Sequence, residues 1–243
     1  MGRAHEVRAA SMAKTAAAKS KLYAKWGKEL YVAAKNGVPD PDSNLELRRK
    51  IERAKKEQVP ADVIKRAIEK AKGGSQESYI ATQYEGMSKG NSNVIVDCLT
   101  DNVNRTFSEV RTIFNRTGST LGTSVMYNFK HQAVFAYEGL SDEETLEILL
   151  MADCEVDDVL VEDGETVVYA PYTEYNKIKT ALTEAKADLQ LSVDEITYVP
   201  QTSVTLEGED LEKFMNLLAG LEDNEDVQRV YHNVELPKID EEE

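Results

Sequence analysis

The stretch QAVFAYEGLSDEETLEILLMA (132–152) opens the part of the sequence that decides the fold. QAVFAY (132–137) reads as a strand, and DEETLEILLMA (142–152) reads as a helix. Four more elements follow in order: strands VDDVLVED (156–163) and TVVYA (166–170), helix TEYNKIKTALTEA (173–185) and strand LSVDEITYV (191–199). Strand–helix–strand–strand–helix–strand is the order of the split βαβ, or ferredoxin-like, unit. The sequence therefore predicts a ferredoxin-like domain over residues 131–198.

The segments that flank this unit each predict part of a second one. Before it come strand NVIVDCLT (93–100), helix NRTFSEVRTIFNRTG (104–118) and strand SVMYNF (124–129). The helix is expected to turn Phe107, Val110 and Phe114 inward. After the unit come strand TSVTLEG (202–208), helix EDLEKFMNLLAGL (209–221) and strand DVQRVYHNV (226–234). Joined, the two flanks would form a second split βαβ fold, into which residues 131–198 are inserted.

Three short amphipathic helices are predicted before these elements. In the first, Leu22, Trp26 and Leu30 recur at helical spacing, so Trp26 is expected to pack in a core. Ser43 with Glu46 predicts a capping box for the second helix. The third is predicted to begin at Pro60 and to end at Gly73-Gly74.

The predicted fold class is α+β, with a helical lobe and two ferredoxin-like lobes, one inserted in the other. The predicted domains are a basic helical domain (1–75), a discontinuous α/β domain (76–130 and 199–238) and the inserted βαββαβ domain (131–198). Residues 1–18 have little apolar surface to bury, so they are expected to form a flexible arm.

The charge of the chain is unevenly distributed. Residues 1–75 contain 18 basic and 9 acidic side chains, a net charge of +9, whereas the remainder carries −24 and the whole chain −15. Such asymmetry favours a nucleic-acid-facing segment joined to an acidic body. The alternative is that these basic helices are simply solvated.

Lysines form a stripe on the first predicted helix, opposite its apolar face. Side chains in such a stripe neutralise phosphates and release counterions, and Tyr23 and Trp26 are able to stack on bases, although core packing is the favoured interpretation for Trp26. The predicted nucleic-acid-binding residues are Arg3, His5, Arg8, Lys14, Lys19, Lys21, Lys25, Lys28, Lys35, Arg48, Arg49 and Arg53.

The polar corner LTDNVNRT (99–106) lies between a predicted strand and a predicted helix. Asp101, Asn102, Asn104 and Arg105 offer groups that could bind a ligand there. Asp and Asn are also the residues that cap helices, and capping is the favoured interpretation.

Catalytic, metal and membrane signals are not evident in the sequence. GxSxG, HExxH, P-loop and GxGxxG patterns do not occur, so we expect no enzyme and no cofactor. Cys98 and Cys154 lack CxxC spacing and are expected to be buried thiols, and the three histidines lack ligand spacing, so we expect no metal. No apolar run reaches the roughly 18 residues of a membrane helix, and no secretory signal is evident. We therefore expect no membrane partner and a cytoplasmic location.

Several blocks of the sequence together resemble the YebC/PmpR family over nearly the whole chain. They include GRAHEVRAASMAKTAAAKSKLYAKWGKELYVAAKNG (2–37), VPADVIKRAIEKAKGG (59–74), VIVDCLTDNVNRTFSEVRTIFNRTG (94–118) and DVQRVYHNVELP (226–237). The resemblance implies a helical lobe and two α/β lobes. It departs at the start, where His5 precedes Glu6-Val7 rather than the His-Ser-Lys-Trp block usual in the family. The role of the arm in other members is therefore not transferred.

The resemblance implies a regulator of gene expression. Family members are commonly called transcriptional regulators that bind DNA. Others, including a mitochondrial translational activator of cytochrome c oxidase, act on the ribosome, some by relieving stalling at proline-rich stretches. The first hypothesis is thus a DNA-binding transcriptional regulator, and the alternative is a ribosome-associated translation factor that binds ribosomal RNA. Both would bind through the basic segment, and binding should weaken steeply with salt.

Overall fold

The computed structural model describes residues 16–74 and 77–236, and the helices and strands in these ranges alternate much as the pattern of apolar residues predicts. The helices are α1 (Ala16–Asn36), α2 (Leu45–Lys56), α3 (Ala61–Lys72), α4 (Val103–Arg116), α5 (Asp142–Met151), α6 (Tyr175–Ala185) and α7 (Gly208–Asp223). The strands are β1 (Ile80–Met87), β2 (Asn93–Thr100), β3 (Thr120–Leu121), β4 (Phe129–Tyr137), β5 (Asp158–Glu162), β6 (Glu165–Pro171), β7 (Leu191–Pro200) and β8 (Val227–His232). Two antiparallel sheets and a helical lobe confirm the predicted α+β class. None of the described helices has the length and hydrophobicity that a membrane crossing requires.

Contacts group the chain into two compact units. One comprises residues 126–205 with residues 233–236, and the other comprises the three N-terminal helices, the first sheet and residues 206–232. The helical lobe and the first sheet therefore belong to the same unit. The predicted bounds of three domains stay a prediction.

Apolar side chains from α1, α2 and α3 form the core of the helical lobe. Trp26 is 4% exposed and packs with Leu30 and Leu47, which confirms the packing role predicted for it. Its indole Nε1 donates to Glu57 Oε2 at 2.9 Å, so the one polar atom of the ring is satisfied.

The capping box predicted at Ser43 is wrong, because Asn44 caps α2. The Asn44 Oδ1 accepts from Leu47 N at 3.0 Å, while its Nδ2 donates to the carbonyls of Ala33 and Val38, both at 2.9 Å. One carboxamide thus caps α2 and fastens the end of α1. A serine hydroxyl is too short to make all three bonds, and Ser43 instead bonds Asp40 within the turn.

The first sheet has the strand order β3-β1-β2-β8. Strand β1 was not predicted, because its residues IATQYEGM mix apolar and polar types without a clear alternation and are mostly exposed or half-exposed. The strand predicted at 124–129 is wrong, because Val125 N donates to the Glu85 carboxylate rather than to a neighbouring strand. The strand predicted at 202–208 is also wrong, since this segment makes only a single bridge, between Val204 and Val234.

The helix α4 buries two of its three predicted core residues. Val110 and Phe114 are fully buried, whereas Phe107 is 43% exposed, so its inward position was predicted wrongly. Its ring lies against Tyr84, with centroids 5.8 Å apart.

The second sheet confirms the ferredoxin-like prediction. Its order is β5-β6-β4-β7, so the first and third strands of the βαββαβ unit lie in the centre. Helices α5 and α6 bury their apolar faces, with Leu149, Ile178 and Leu182, against Phe135 and Tyr137 of β4. Helix α5 begins at a capping box formed by Ser141 and Glu144. Cys154 and, in the other unit, Cys98 are both free thiols and both buried, as predicted.

Candidate nucleic-acid interface

Three lysines of the predicted stripe contact an acidic turn of the same unit. We call Lys21, Lys25 and Lys28 the lysine row and residues 222–226, sequence EDNED, the acidic segment. Lys21 pairs with the Asp223 carboxylate, and Lys25 Nζ donates to the Glu222 carbonyl at 2.9 Å. That carbonyl belongs to the last turn of α7, where the helix dipole is negative and favours a cation.

Lys28 makes the most buried of these contacts. Its Nζ lies 2.9 Å from Asp226 Oδ1 and 3.0 Å from the Glu225 carbonyl. The side chains of Lys28 and Asp226 are 19% and 5% exposed, whereas those of Lys21 and Asp223 are 41% and 74% exposed. The Lys21–Asp223 pair is thus solvated, whereas the Lys28–Asp226 pair is largely removed from water. We expect the loss of one partner to lower stability substantially only in the Lys28–Asp226 pair.

Asp226 is the centre of a network that explains the polar corner at 99–106. Its Oδ2 accepts from Arg105 at 2.7 Å, from Thr106 at 2.7 Å and from Thr100 at 3.0 Å. Burial opposes ionisation of this carboxyl, but the hydrogen bonds from Arg105, Lys28 and Thr106 outweigh burial and lower its pKa. The network ties α1, β2 and α4 to the start of β8.

The favoured capping interpretation of this corner is confirmed for Asn102. Its Oδ1 accepts from Arg105 N at 3.1 Å at the start of α4. Asp101 forms an ion pair with Arg105 at 2.8 Å. The corner therefore has a structural role, which sequence reasoning found only in part because the partner Asp226 lies more than a hundred residues away.

A second carboxylate joins α1 to α2. Glu29 Oε2 lies 2.8 Å from Lys50 Nζ. Burial opposes ionisation of Glu29, but the charges of Lys50 and Arg229 outweigh it and lower its pKa. Lys50 is thus engaged in packing the lobe.

Other basic side chains of α2 and α3 are exposed, and we call these seven the outer basic set. In α2, Lys56 lies opposite the buried residues Leu47, Ile51 and Ala54, and Arg48 and Lys55 flank them. In α3 the basic side chains lie outside the buried face formed by Ile64 and Ala67. The outer basic set is Arg48, Lys55, Lys56, Lys65, Arg66, Lys70 and Lys72. Its ion pairs include Arg66–Asp62 at 2.6 Å and Lys65–Glu69 at 3.9 Å within α3, and Lys70–Glu77 at 2.6 Å.

The remaining predicted interface residues are distributed differently. Lys19 is exposed, while Arg49 and Arg53 are half-buried and Arg53 lies 3.5 Å from Glu57. Arg48 Nε and Nη2 donate to the carbonyls of Pro41 and Asp42 at 3.0 and 2.8 Å. Four predicted residues lie outside the described side chains: Arg3, His5, Arg8 and Lys14.

Lys35 belongs to a cluster with two tyrosines and Glu77. Its Nζ lies 2.8 Å from the Tyr31 hydroxyl and 2.7 Å from the Glu77 carbonyl. Tyr79 donates to Glu77 Oε2 at 3.0 Å, and Lys70 lies 2.6 Å from the same carboxylate. Burial, and then the Glu77 carboxylate, raise the pKa of Tyr79 to about 12, so the phenol stays neutral at physiological pH.

Within residues 16–74 and 77–236, no group of three or more His, Cys, Asp or Glu side chains is placed to hold a metal ion. The chemistry that the described site offers is therefore ionic and aromatic.

Fold and charge together define an α+β protein that carries basic helices before two antiparallel sheets. The chain belongs to the TACO1/YebC family. The model of the TACO1/YebC N-terminal domain matches residues 3–74, and the model of the second and third domains matches residues 79–234.

Relatives match the chain over almost its whole length. It is 56% identical over 238 residues to a probable transcriptional regulatory protein of Vibrio parahaemolyticus, which covers 97% of this chain and 100% of that one. A protein of the same description from Pseudoalteromonas translucida is 55% identical over 238 residues, with the same coverage. The crystal structure of a conserved hypothetical protein from Aquifex aeolicus is 34% identical and superposes with a TM-score of 0.75, over 95% of this chain and 96% of that one.

Proposed function

We propose that this protein is a nucleic-acid-binding regulator of gene expression that acts in the cytoplasm and binds DNA through the outer basic set. The observation that carries the proposal is the exposure of seven basic side chains on two adjacent helices of a chain whose net charge is −15. The names of its relatives, probable transcriptional regulatory proteins, support the same reading.

Phosphate binding is the chemistry that this surface suits. A Lys or Arg side chain that replaces the counterions of a phosphate gains free energy from their release, and this gain falls as salt rises. The acidic remainder of the chain, with its net charge of −24, repels a polyanion and so limits contact to the basic end. Lys19 of α1 and Arg49 and Arg53 of α2 are also included in the proposed surface.

The lysine row has a different role in this proposal. Lys25 and Lys28 are directed at the acidic segment, and a phosphate would have to displace protein acceptors to reach them. We assign Lys28 to the internal network and the exposed Lys21 to the margin of the binding surface.

Substitution of the outer lysines tests the proposal. We expect the triple variant Lys55→Ala, Lys65→Ala, Lys72→Ala to bind a DNA duplex at least about tenfold more weakly at about 0.1 M salt. The slope of log K against log salt should fall by up to about 3, because each lost phosphate contact removes about 0.9. Fluorescence anisotropy over a salt series measures both quantities.

A matched control removes the same charge from exposed lysines elsewhere, as Lys89→Ala, Lys130→Ala, Lys177→Ala. Its affinity should stay within about twofold of the parent protein. Equal loss in the two triple variants would mean that only net charge matters, and the surface assignment would then be wrong. The second candidate function is a translation factor that binds ribosomal RNA. The specific observation that favours it is a tyrosine-lined groove between α1 and α3.

A further inference from the structure

A groove of about 430 Å³ runs between α1, α3 and residues 77–79. Its volume lies in the range of ligand pockets, about 300–1,000 Å³. Ala24 and Gly27 of α1 line it without long side chains, and Tyr23 and Tyr79 line it with half-buried rings. Tyr31 also lines it and is 2% exposed, its ring packed edge-on against Tyr79 with centroids 5.9 Å apart.

The position of Gly27 independently indicates that a ligand occupies the groove. It lies in the middle of a 21-residue helix, where glycine destabilises the helical conformation relative to alanine. Among the described residues, a Cβ on Gly27 would meet nothing within 4 Å. Packing within the described chain therefore does not require glycine here, whereas a molecule that lies flat against the helix backbone would.

Basic side chains line the groove. Lys28, Arg66 and Lys70 all line it, against a single carboxylate, that of Glu77. Glu77 is paired with Lys70, and the hydrogen bond from Lys70 followed by that from Tyr79 lowers its pKa. Lys28 Nζ lies 5.7 Å from the centre of the Tyr79 ring, and Lys70 Nζ 5.6 Å from that of Tyr31. Among the described residues, Arg66 pairs with Asp62 on the same helix, and both side chains are exposed, so an anion competes for Arg66 at little cost.

We propose that this groove receives one unpaired base of a single-stranded nucleic acid. The base lies over Ala24 and Gly27 beside the tyrosine rings, and its phosphate lies against Arg66. Proteins bind single-stranded nucleic acids through aromatic rings that lie next to cations. The rings contact the flat face of a base, and the cations contact the negatively charged phosphate that joins two nucleotides. A base inside a duplex is stacked on both sides and does not enter, so the groove discriminates strandedness. This inference rests on the proposed function, to which it adds the kind of target.

Filling the groove tests the inference. The probes are fluorescein-labelled oligo-U and oligo-A of about 12 nucleotides, the matching DNA strands, and a DNA duplex of equal length. Gly27→Leu places a side chain on the proposed base position, and single-strand affinity should fall at least about tenfold, the effect of losing one stacked base. Duplex affinity should stay within about twofold, since the outer basic set is untouched.

Two further variants keep the result interpretable. Gly27→Ala is the graded control, because it favours the helix and adds only a methyl group, so it should weaken single-strand binding by less than Gly27→Leu does. Ala24→Leu fills the same groove at an exposed helix position, so it replaces Gly27→Leu if that variant fails to fold by circular dichroism. Unchanged single-strand affinity in folded Gly27→Leu or Ala24→Leu would overturn the inference, as would equal losses for single strands and duplex.

The outer lysine triple separates this inference from the proposed function. If the parent protein binds duplex but not single strands, the groove inference fails and the proposed function stands. If the outer triple binds duplex as the parent does, while single-strand binding remains sensitive to Gly27→Leu, the outer surface fails and the groove stands. RNA and DNA strands bound alike would support recognition of the base and phosphate, and a preference for RNA would support the ribosomal candidate.

Discussion

The lysine row of α1 and the outer basic set of α2 and α3 are both basic but have different surroundings. Lys25 and Lys28 donate to carbonyls and a carboxylate of the acidic segment. Lys55, Lys65 and Lys72 are exposed to solvent. The row joins α1 to the acidic segment, whereas we propose that the outer set contacts an external polyanion.

The difference shows that a basic helix face in the sequence does not establish that its side chains are accessible to a ligand. An amphipathic wheel shows which side of a helix is basic, but not what the rest of the chain places against that side. The acidic segment presents a carboxylate and carbonyls to α1 in the way that a nucleic acid would present phosphates. The strongest basic signal in the sequence thus contains a structural contact.

The largest effect is expected at Asp226, which the comparison makes the anchor of the row. Asp226→Ala leaves Arg105 and Lys28 without their shared acceptor, and removal of one partner from a buried ion pair costs about 3–5 kcal/mol. Urea unfolding followed by circular dichroism measures the loss. The control is Glu225→Ala, an exposed neighbour, which should change stability by less than about 0.5 kcal/mol. If Asp226→Ala and Glu225→Ala had similar free energies of unfolding, the Asp226 carboxylate would not anchor the lysine row.

The same carboxylate should give the protein a dependence on acid. Its pKa is lower in the folded protein than the value of about 3.9 in an unfolded chain, so its stabilisation is complete at neutral pH and is lost as pH falls below about 4. We expect the free energy of unfolding to fall between about pH 5 and pH 3 more steeply in the parent protein than in Asp226→Asn. Parallel curves for the two proteins would show that Asp226 ionises alike in the folded and unfolded states.

Smaller losses of stability should distinguish the buried Lys28 from the solvated Lys21 within the lysine row. Lys28→Ala removes a charged hydrogen bond from a largely buried carboxylate and should cost about 1–3 kcal/mol. Lys21→Ala breaks only a solvated pair, and its unfolding midpoint should match that of the parent within error. Thermal unfolding of the two single variants checks this order, and an equal loss in both would remove the distinction between them.

The sequence predicts much of the fold because apolar spacing is a local property. The βαββαβ unit was predicted from the alternation in QAVFAY and the period of DEETLEILLMA, and its capped helix and sheet order follow from that element order. Strand β1 was not predicted because its exposed and half-exposed residues mix apolar and polar types without a clear alternation. The segment at 124–129 gave the opposite error, since its apolar residues suggested a strand, whereas Val125 N bonds the side chain of Glu85 and residues 126–128 form a helical turn.

The candidate site was less predictable, because its character depends on contacts between distant residues. Trp26 could be assigned to the core from its place on the apolar face of α1, and Asn102 to a cap from its place before α4. Nothing near Lys28 in the sequence points to Asp226. The groove was missed for the same reason, since Gly27 and Tyr79 come together only when α1 packs beside the chain that leads into β1.

The central claim is that the outer basic set binds nucleic acid while the lysine row stabilises the fold. Two triple variants of equal charge test it side by side: Lys55→Ala, Lys65→Ala, Lys72→Ala and Lys21→Ala, Lys25→Ala, Lys28→Ala. For each, duplex affinity at about 0.1 M salt and the thermal unfolding midpoint are measured. We predict that the outer triple loses affinity at least about tenfold with an unchanged midpoint, and that the row triple has a lowered midpoint with a smaller loss of affinity. The opposite pattern, with affinity lost in the row triple and its midpoint unchanged, would contradict the account.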